Sequence, residues 1–209
     1  MRAPSLEFKP LDHTYWLGDV RLTSVTQLLS FQDFSGIPPD ILEYKCKLGT
    51  FTHRAIELYL QNNLDPNSLD PRVKEYFDSW LNWWNAHSKR IEIIGVEVRF
   101  YHSVFLYAGQ IDLHCMYDGK EAVIDWKCAA QHSPIYKLQT AGYQLGSNDF
   151  TGGNVQKRGA LIIGKSGQCK MFWHDDNLQD AAGFTGLINT HTWRLNNERT
   201  YADKFTATH

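Results

Sequence analysis

Two carboxylates and a lysine, Asp112, Asp125 and Lys127, are the residues whose spacing speaks most directly of chemistry. The aspartates flank Asp118-Gly119, a strong two-residue hairpin signal because both central positions of a type I′ turn need a positive φ. With a two-residue loop, Tyr117 faces Lys120. Counting outward then puts Asp112 across from Asp125, and Gln110 across from Lys127. Residues two apart on a strand share a face, so all four side chains point to one side of the hairpin. Directly opposed Cβ atoms lie only about 4.5–5.5 Å apart, and like charges there are destabilising. Two carboxylates so placed call for a cation. A divalent metal with hard oxygen ligands is one answer. The ammonium of Lys127 is the other, and it would leave no more than a neutralised surface cluster.

The residues around this trio extend the pattern. Gly109-Gln110-Ile111-Asp112 is followed by Val123-Ile124-Asp125-Trp126-Lys127 and then by Gln139-Thr140-Ala141-Gly142-Tyr143. Upstream stands Gly49-Thr50-Phe51-Thr52-His53. In this order the segments resemble the PD-(D/E)XK nuclease superfamily, in particular its branch of RecB-like, Cas4-like and phage single-domain exonucleases. The resemblance spans residues 49–143. It implies that Asp112, Asp125 and His53 ligate Mg²⁺ or Mn²⁺, as one ion or two, with the backbone carbonyl of Trp126 completing the protein's share. Glu97 and Glu57 are further candidates for the acidic cluster. It also implies that Lys127 orients or deprotonates the attacking water and stabilises transition-state charge. Gln139 and Tyr143, four apart and so on one helix face, would stand beside the site and contact DNA or Lys127. Lys137, Lys157, Arg158 and Lys165 are candidate phosphate contacts. Asp125 stands where many superfamily members carry Glu, a form common in the RecB-like branch.

These side chains need a frame, and the chain patterning predicts one. Thr14–Leu17 and Val20–Leu22 form a small hairpin across Gly18-Asp19. Ser24 caps a short helix through Val25, Leu28 and Leu29. A helix spans 48–60 with Phe51, Ala55 and Leu58 in the core. A second starts at Asp70-Pro71 and carries Val73, Phe77, Trp80, Leu81 and Trp84 inward. From residue 91 the period becomes two, with strands over 92–101, 105–117 and 120–126. A helix over 133–145, a hairpin of 158–163 with 168–173, and a last helix over 175–195 follow. The expectation is an α/β fold with a restriction-endonuclease-like core: a mixed central sheet flanked by helices, with an N-terminal helical part. All 209 residues are expected to form one domain: 1–90 carry the hairpin and His53, 91–173 the catalytic sheet and crossover helix, and 174–209 the C-terminal helix and tail.

Composition narrows the class. Hydrophobic residues make up 43% and charged residues 21%, as in soluble globular proteins. No apolar run approaches the roughly 18 residues of a membrane span. The first residues lack a secretory apolar core, so a cytoplasmic location is expected. A net charge of −2 excludes a histone-like protein that coats DNA, while a local basic cleft remains compatible with it. The four cysteines lack paired spacing, which disfavours disulfides and a zinc module. Relatives that hold an iron–sulfur cluster place three cysteines near the C-terminus. Residues 170–209 contain none, so no such cluster is expected. The functional expectation is a metal-dependent DNA nuclease acting on linear ends or single strands in recombination, repair or DNA degradation. A recombination partner protein and a homo-oligomer are both compatible with it. Its rivals are a structure-specific endonuclease and a catalytically silent DNA-binding protein of the same fold.

Overall fold

A computed structural model describes residues 5–31 and 36–206, with side chains of the last helix described through residue 198. Of the Phe34–Pro39 loop expected from sequence, Phe34 and Ser35 lie outside the described residues. Eight strands and five α-helices are present among them. The N-terminal strands β1 (Leu6–Lys9), β2 (Thr14–Leu17) and β3 (Val20–Ser24) form an antiparallel meander. Ser24 then caps the four-residue helix α1 (Val25–Leu28) through a reciprocal capping box with Gln27. The 22-residue helix α2 (Pro39–Leu60) starts on a proline, whose fixed φ suits the first helical turn. Helix α3 (Pro71–His87) also starts on a proline, with the Asp70 side chain capping the amide of Arg72.

The central sheet follows: β4 (Ile91–Tyr101), β5 (Tyr107–Tyr117) and β6 (Lys120–Lys127) are consecutive antiparallel strands. The β5–β6 turn is the expected one. Asp118 and Gly119 both have positive φ, 51° and 71°, and Arg90 clamps the Asp118 carboxylate at 2.6 and 2.8 Å. Helix α4 (Ile135–Thr151) carries the chain across the sheet, so β7 (Lys157–Ile163) pairs parallel with β6. Strand β8 (Cys169–Trp173) returns antiparallel, and α5 (Asn177–Thr206) closes the fold.

Two apolar clusters sandwich the sheet. One joins α2 and α3 to β5, β6 and β7 around Ile56, Phe77, Trp80 and Trp126. The other joins α1, α4 and α5 to the opposite side around Phe100, Tyr107, Val123 and Phe184. Helix α4 approaches closely because it is bare where it touches its neighbours. A methyl group on Gly142 would meet the Phe184 ring at 2.5 Å, and one on Gly146 the Phe100 ring at 1.9 Å.

The largest misreading of packing concerns α2. Its buried residues are Leu48, Thr52, Ala55 and Ile56. Phe51, expected in the core, is 59% exposed, because the inward face is centred one position further round the helix. The helix also begins nine residues earlier than expected, the N-terminal meander has an extra strand, and α5 runs well beyond residue 195.

Candidate active site

The site lies where the sheet opens. β4 runs alongside nearly all of β5. The other edge of β5 changes partner, pairing with β3 through Tyr107 and Ala108, and with β6 only from Leu113 onward. Residues 109–112 lie in the gap. The register counted from the turn holds from Tyr117–Lys120 to Leu113–Ile124 and ends there. The predicted Asp112–Asp125 ladder pair is therefore corrected: the strands part at that point, and the Asp112 Oδ2 accepts the Trp126 amide at 2.6 Å. Separating the strands relieves the like-charge opposition that a continued ladder would impose. Gln110 likewise does not face Lys127. It pairs with Arg99 of β4 and turns its side chain to Glu97.

A cavity of about 430 Å³ opens on this gap and is lined by Glu97, Gln110, Asp112, Asp125 and Lys127 from the sheet. His53 and Glu57 reach it from α2, Gln139 and Tyr143 from α4. His53 Nδ1 lies 3.4 Å from Asp112 Oδ1. One donor atom each from His53, Glu97 and Asp112 falls within a mutual 4.8 Å. Glu97 reaches this cluster from an unusual backbone, with φ of 53° in mid-strand, a conformation that costs a non-glycine residue about 1–3 kcal/mol. Gln110 donates to the Glu97 carboxylate. Its amide is itself oriented by Arg99, whose Nε donates to Gln110 Oε1 at 2.9 Å.

Asp125 and Lys127 form a second group. Lys127 Nζ is 2.8 Å from Asp125 Oδ2. Gln139 donates to Asp125 Oδ1 at 3.1 Å and to the Tyr143 hydroxyl oxygen at 2.7 Å. Gln139 and Tyr143 are 6% and 5% exposed, so they form the floor of the cavity and hold Asp125. Trp126 donates its backbone amide to Asp112. Glu57 turns to Arg54 and Gln61 and stands outside the three-residue donor cluster.

Of the basic residues foreseen as phosphate contacts, Arg158 is excluded by burial. It is 0% exposed, paired with Asp180 at 2.5 Å and bonded to Asn177, Thr140 and the Lys137 carbonyl. It ties β7 to α4 and α5. Lys157 lies over the rings of Tyr117 and Trp173 near the Asp118 turn, away from the gap. Lys165 pairs with Glu75, and Lys137 is exposed on α4. Sequence reasoning missed the wall supplied by the N-terminal meander, His13, Tyr15 and Ser24; a two-residue parallel pairing leaves no periodic signal.

The electrostatics are those of crowded, poorly hydrated charge. Burial would lower the pKa of His53, yet the Asp112 carboxylate outweighs it and holds the imidazole up at about 9. Burial and then Asp112 raise Glu97 to about 7. Burial raises Asp125 to about 6 despite Lys127. Burial opposes the charge on Lys127, but Asp125 and Asp112 hold its pKa above the ordinary lysine value. A divalent ion fits this site. The donors are hard oxygens and an imidazole, the anions outnumber the fixed cations, and the buried Asp125 Oδ2 has no hydrogen bond of good geometry.

No protein-family model and no curated protein matches the sequence. Solved structures do. A candidate exonuclease from Eubacterium rectale superposes with a TM-score of 0.54 at 13% identity, covering 85% of this chain and 82% of that one. What the two chains share is a fold. An alkaline exonuclease from Laribacter hongkongensis gives a TM-score of 0.48 at 12% identity, over 90% of this chain and 94% of that one. The mixed sheet flanked by helices is thus the architecture expected from sequence. Among the described residues no helix is long and apolar enough to cross a membrane.

Proposed function

We propose that the chain is a single-domain nuclease that hydrolyses DNA phosphodiester bonds with Mg²⁺ or Mn²⁺, acting on DNA ends. The observation that carries this reading is the meeting of His53, Glu97 and Asp112 within 4.8 Å beside the Lys127–Asp125 pair in one cleft. The shared fold with a candidate exonuclease supports it. His53, Glu97 and Asp112 would hold the ion, with Asp125 adjacent. When bound, such an ion supplies Lewis acidity at the scissile phosphate.

The protein's own groups do the rest. Lys127, kept protonated by its two aspartates, presents a positive charge where the phosphate gathers negative charge in the transition state. A lysine held in that state serves better as an electrostatic partner than as the base that takes the water's proton. Gln139 fixes Asp125, and Tyr143 fixes Gln139. Gln110 and Arg99 hold Glu97.

The test is digestion of end-labelled linear DNA beside closed circular DNA with Mg²⁺ or Mn²⁺. Loss of the linear substrate alone supports an exonuclease. Nicking of the circle moves the reading to a structure-specific endonuclease. Binding without hydrolysis moves it to a silent DNA-binding protein, and full activity in Lys127→Ala overturns the assigned chemistry. A recombination role, a partner protein and a homo-oligomer rest on the resemblance alone.

A further inference from the structure

Phe51, displaced from the core, stands in a second cavity. A groove of about 520 Å³ runs along the outer side of α2 toward the start of α3. Its walls are apolar, with Tyr44, Phe51 and Leu58 from α2 opposite Leu64, Leu69 and Val73. Its charged lining is three cations, Lys47, Arg54 and Arg72, against one anion, Asp70. Arg54 lines both this groove and the catalytic cavity, so the two adjoin at that side chain on α2. Tyr44 and Phe51, 43% and 59% exposed, are seven residues apart on one helix face, about 10 Å along the axis. That is room for about three stacked nucleotides at 3.4 Å each.

We propose that this groove is the track for single-stranded nucleic acid leading to or from the cleft, with bases stacked on Phe51 and Tyr44. This rests on the nuclease reading of the cleft for its direction, but not for its chemistry. Every base has a π face, so aromatic platforms with a cationic border take single strands of any sequence. The cations are now paired, Lys47 with Glu43, Arg54 with Glu57 and Arg72 with Asp70. Exposed pairs of this kind are worth only about 0–1 kcal/mol, so a phosphate can replace the carboxylate partner. The paired interior of a duplex does not suit these walls, since its bases present no free faces to stack.

The experiment measures anisotropy of a fluorescein-labelled oligothymidylate of about 12 nucleotides, with EDTA present so that binding is read without hydrolysis. Phe51→Ala and Tyr44→Ala should each weaken binding about ten-fold, and Arg54→Gln should flatten its salt dependence. Urea midpoints of the variants check folding, and Phe51→Leu separates loss of stacking from loss of apolar contact by failing to restore affinity. Unchanged affinity in Phe51→Ala overturns the proposal. So does a concentration-dependent self-association, or binding of an acidic amphipathic peptide, that Phe51→Ala abolishes while oligothymidylate binding stays intact. If the wild type cleaves no DNA yet its binding depends on Phe51, the nuclease reading fails and the groove stands.

Discussion

Glu97→Gln should stabilise the protein in chelator while removing its response to metal. Burial and the neighbouring Asp112 raise the Glu97 carboxyl from its ordinary 4.5 to about 7. In the unfolded chain the group ionises near the ordinary value. Between those two pH values the folded state therefore holds more protons than the unfolded one, and stability falls as pH rises through the interval. Above pH 7 the loss is complete, and it amounts to about 3 kcal/mol at most. Partial exposure of the side chain reduces this to about 1–3 kcal/mol. The glutamine keeps an oxygen that can accept from Gln110 but carries no charge. At pH 8 in EDTA the variant should melt about 3–10 °C above the wild type for a chain of this length, and the difference should vanish near pH 4.5. With Mn²⁺ at about a hundred times its dissociation constant, the wild type should gain about 2.7 kcal/mol and the variant far less. Calorimetric or fluorescence melts at several pH values, with and without Mn²⁺, read both effects. A variant no more stable than wild type in EDTA at pH 8, or one that gains as much from Mn²⁺, would refute the placement of Glu97 in a crowded metal site.

Three further outcomes are expected. Lys127→Met, which keeps the stem and removes the charge, should lower the rate of DNA hydrolysis about 10²–10³-fold while oligonucleotide affinity in EDTA changes little. Arg158→Met should destabilise the fold by about 3–5 kcal/mol in urea titrations, because it leaves Asp180 charged and unpaired among buried groups. Burial first, and then Arg158, lower the His174 pKa to about 4. The unfolded chain takes up that proton near 6.5 while the folded one does not, so stability should fall as pH drops from about 6.5 toward 4. His174→Gln, compared with wild type by urea midpoints at pH 7.5 and 5, should lessen that fall; an equal loss in both would be evidence against it.

The legible parts of the sequence were those written in local rules. The Asp118-Gly119 turn, the Ser24 cap and the Asp70-Pro71 start each depend on residues within four positions, and each forms as read. The register of β5 on β6 followed from the turn as far as Leu113. It failed at Asp112, where a carboxylate takes a backbone amide and the sheet changes partner. Local pattern says nothing about such an exchange. Arg158 looked like a surface cation because its partners, Asn177 and Asp180, lie in a helix that arrives later in the chain. Phe51 misled in the opposite sense, an aromatic at near-core spacing that the helix turns outward. Glu97 was legible as a candidate for the acidic cluster, and it meets His53 and Asp112 there, but the way it reaches them was not. Its positive φ and its tie to Gln110 depend on contacts across β4 and β5.

The order of strands carries a kinetic consequence. β4, β5 and β6 are consecutive in the chain and pair with their neighbours, so their contacts close early in folding, whereas His53 must arrive from α2 by a long excursion. The nascent meander thus gathers Glu97, Asp112 and Asp125 before the imidazole that offsets them has docked. Mild acid or a divalent ion during refolding would mask that repulsion at the moment it matters, and so an ion bound by the finished cleft would also hasten its assembly.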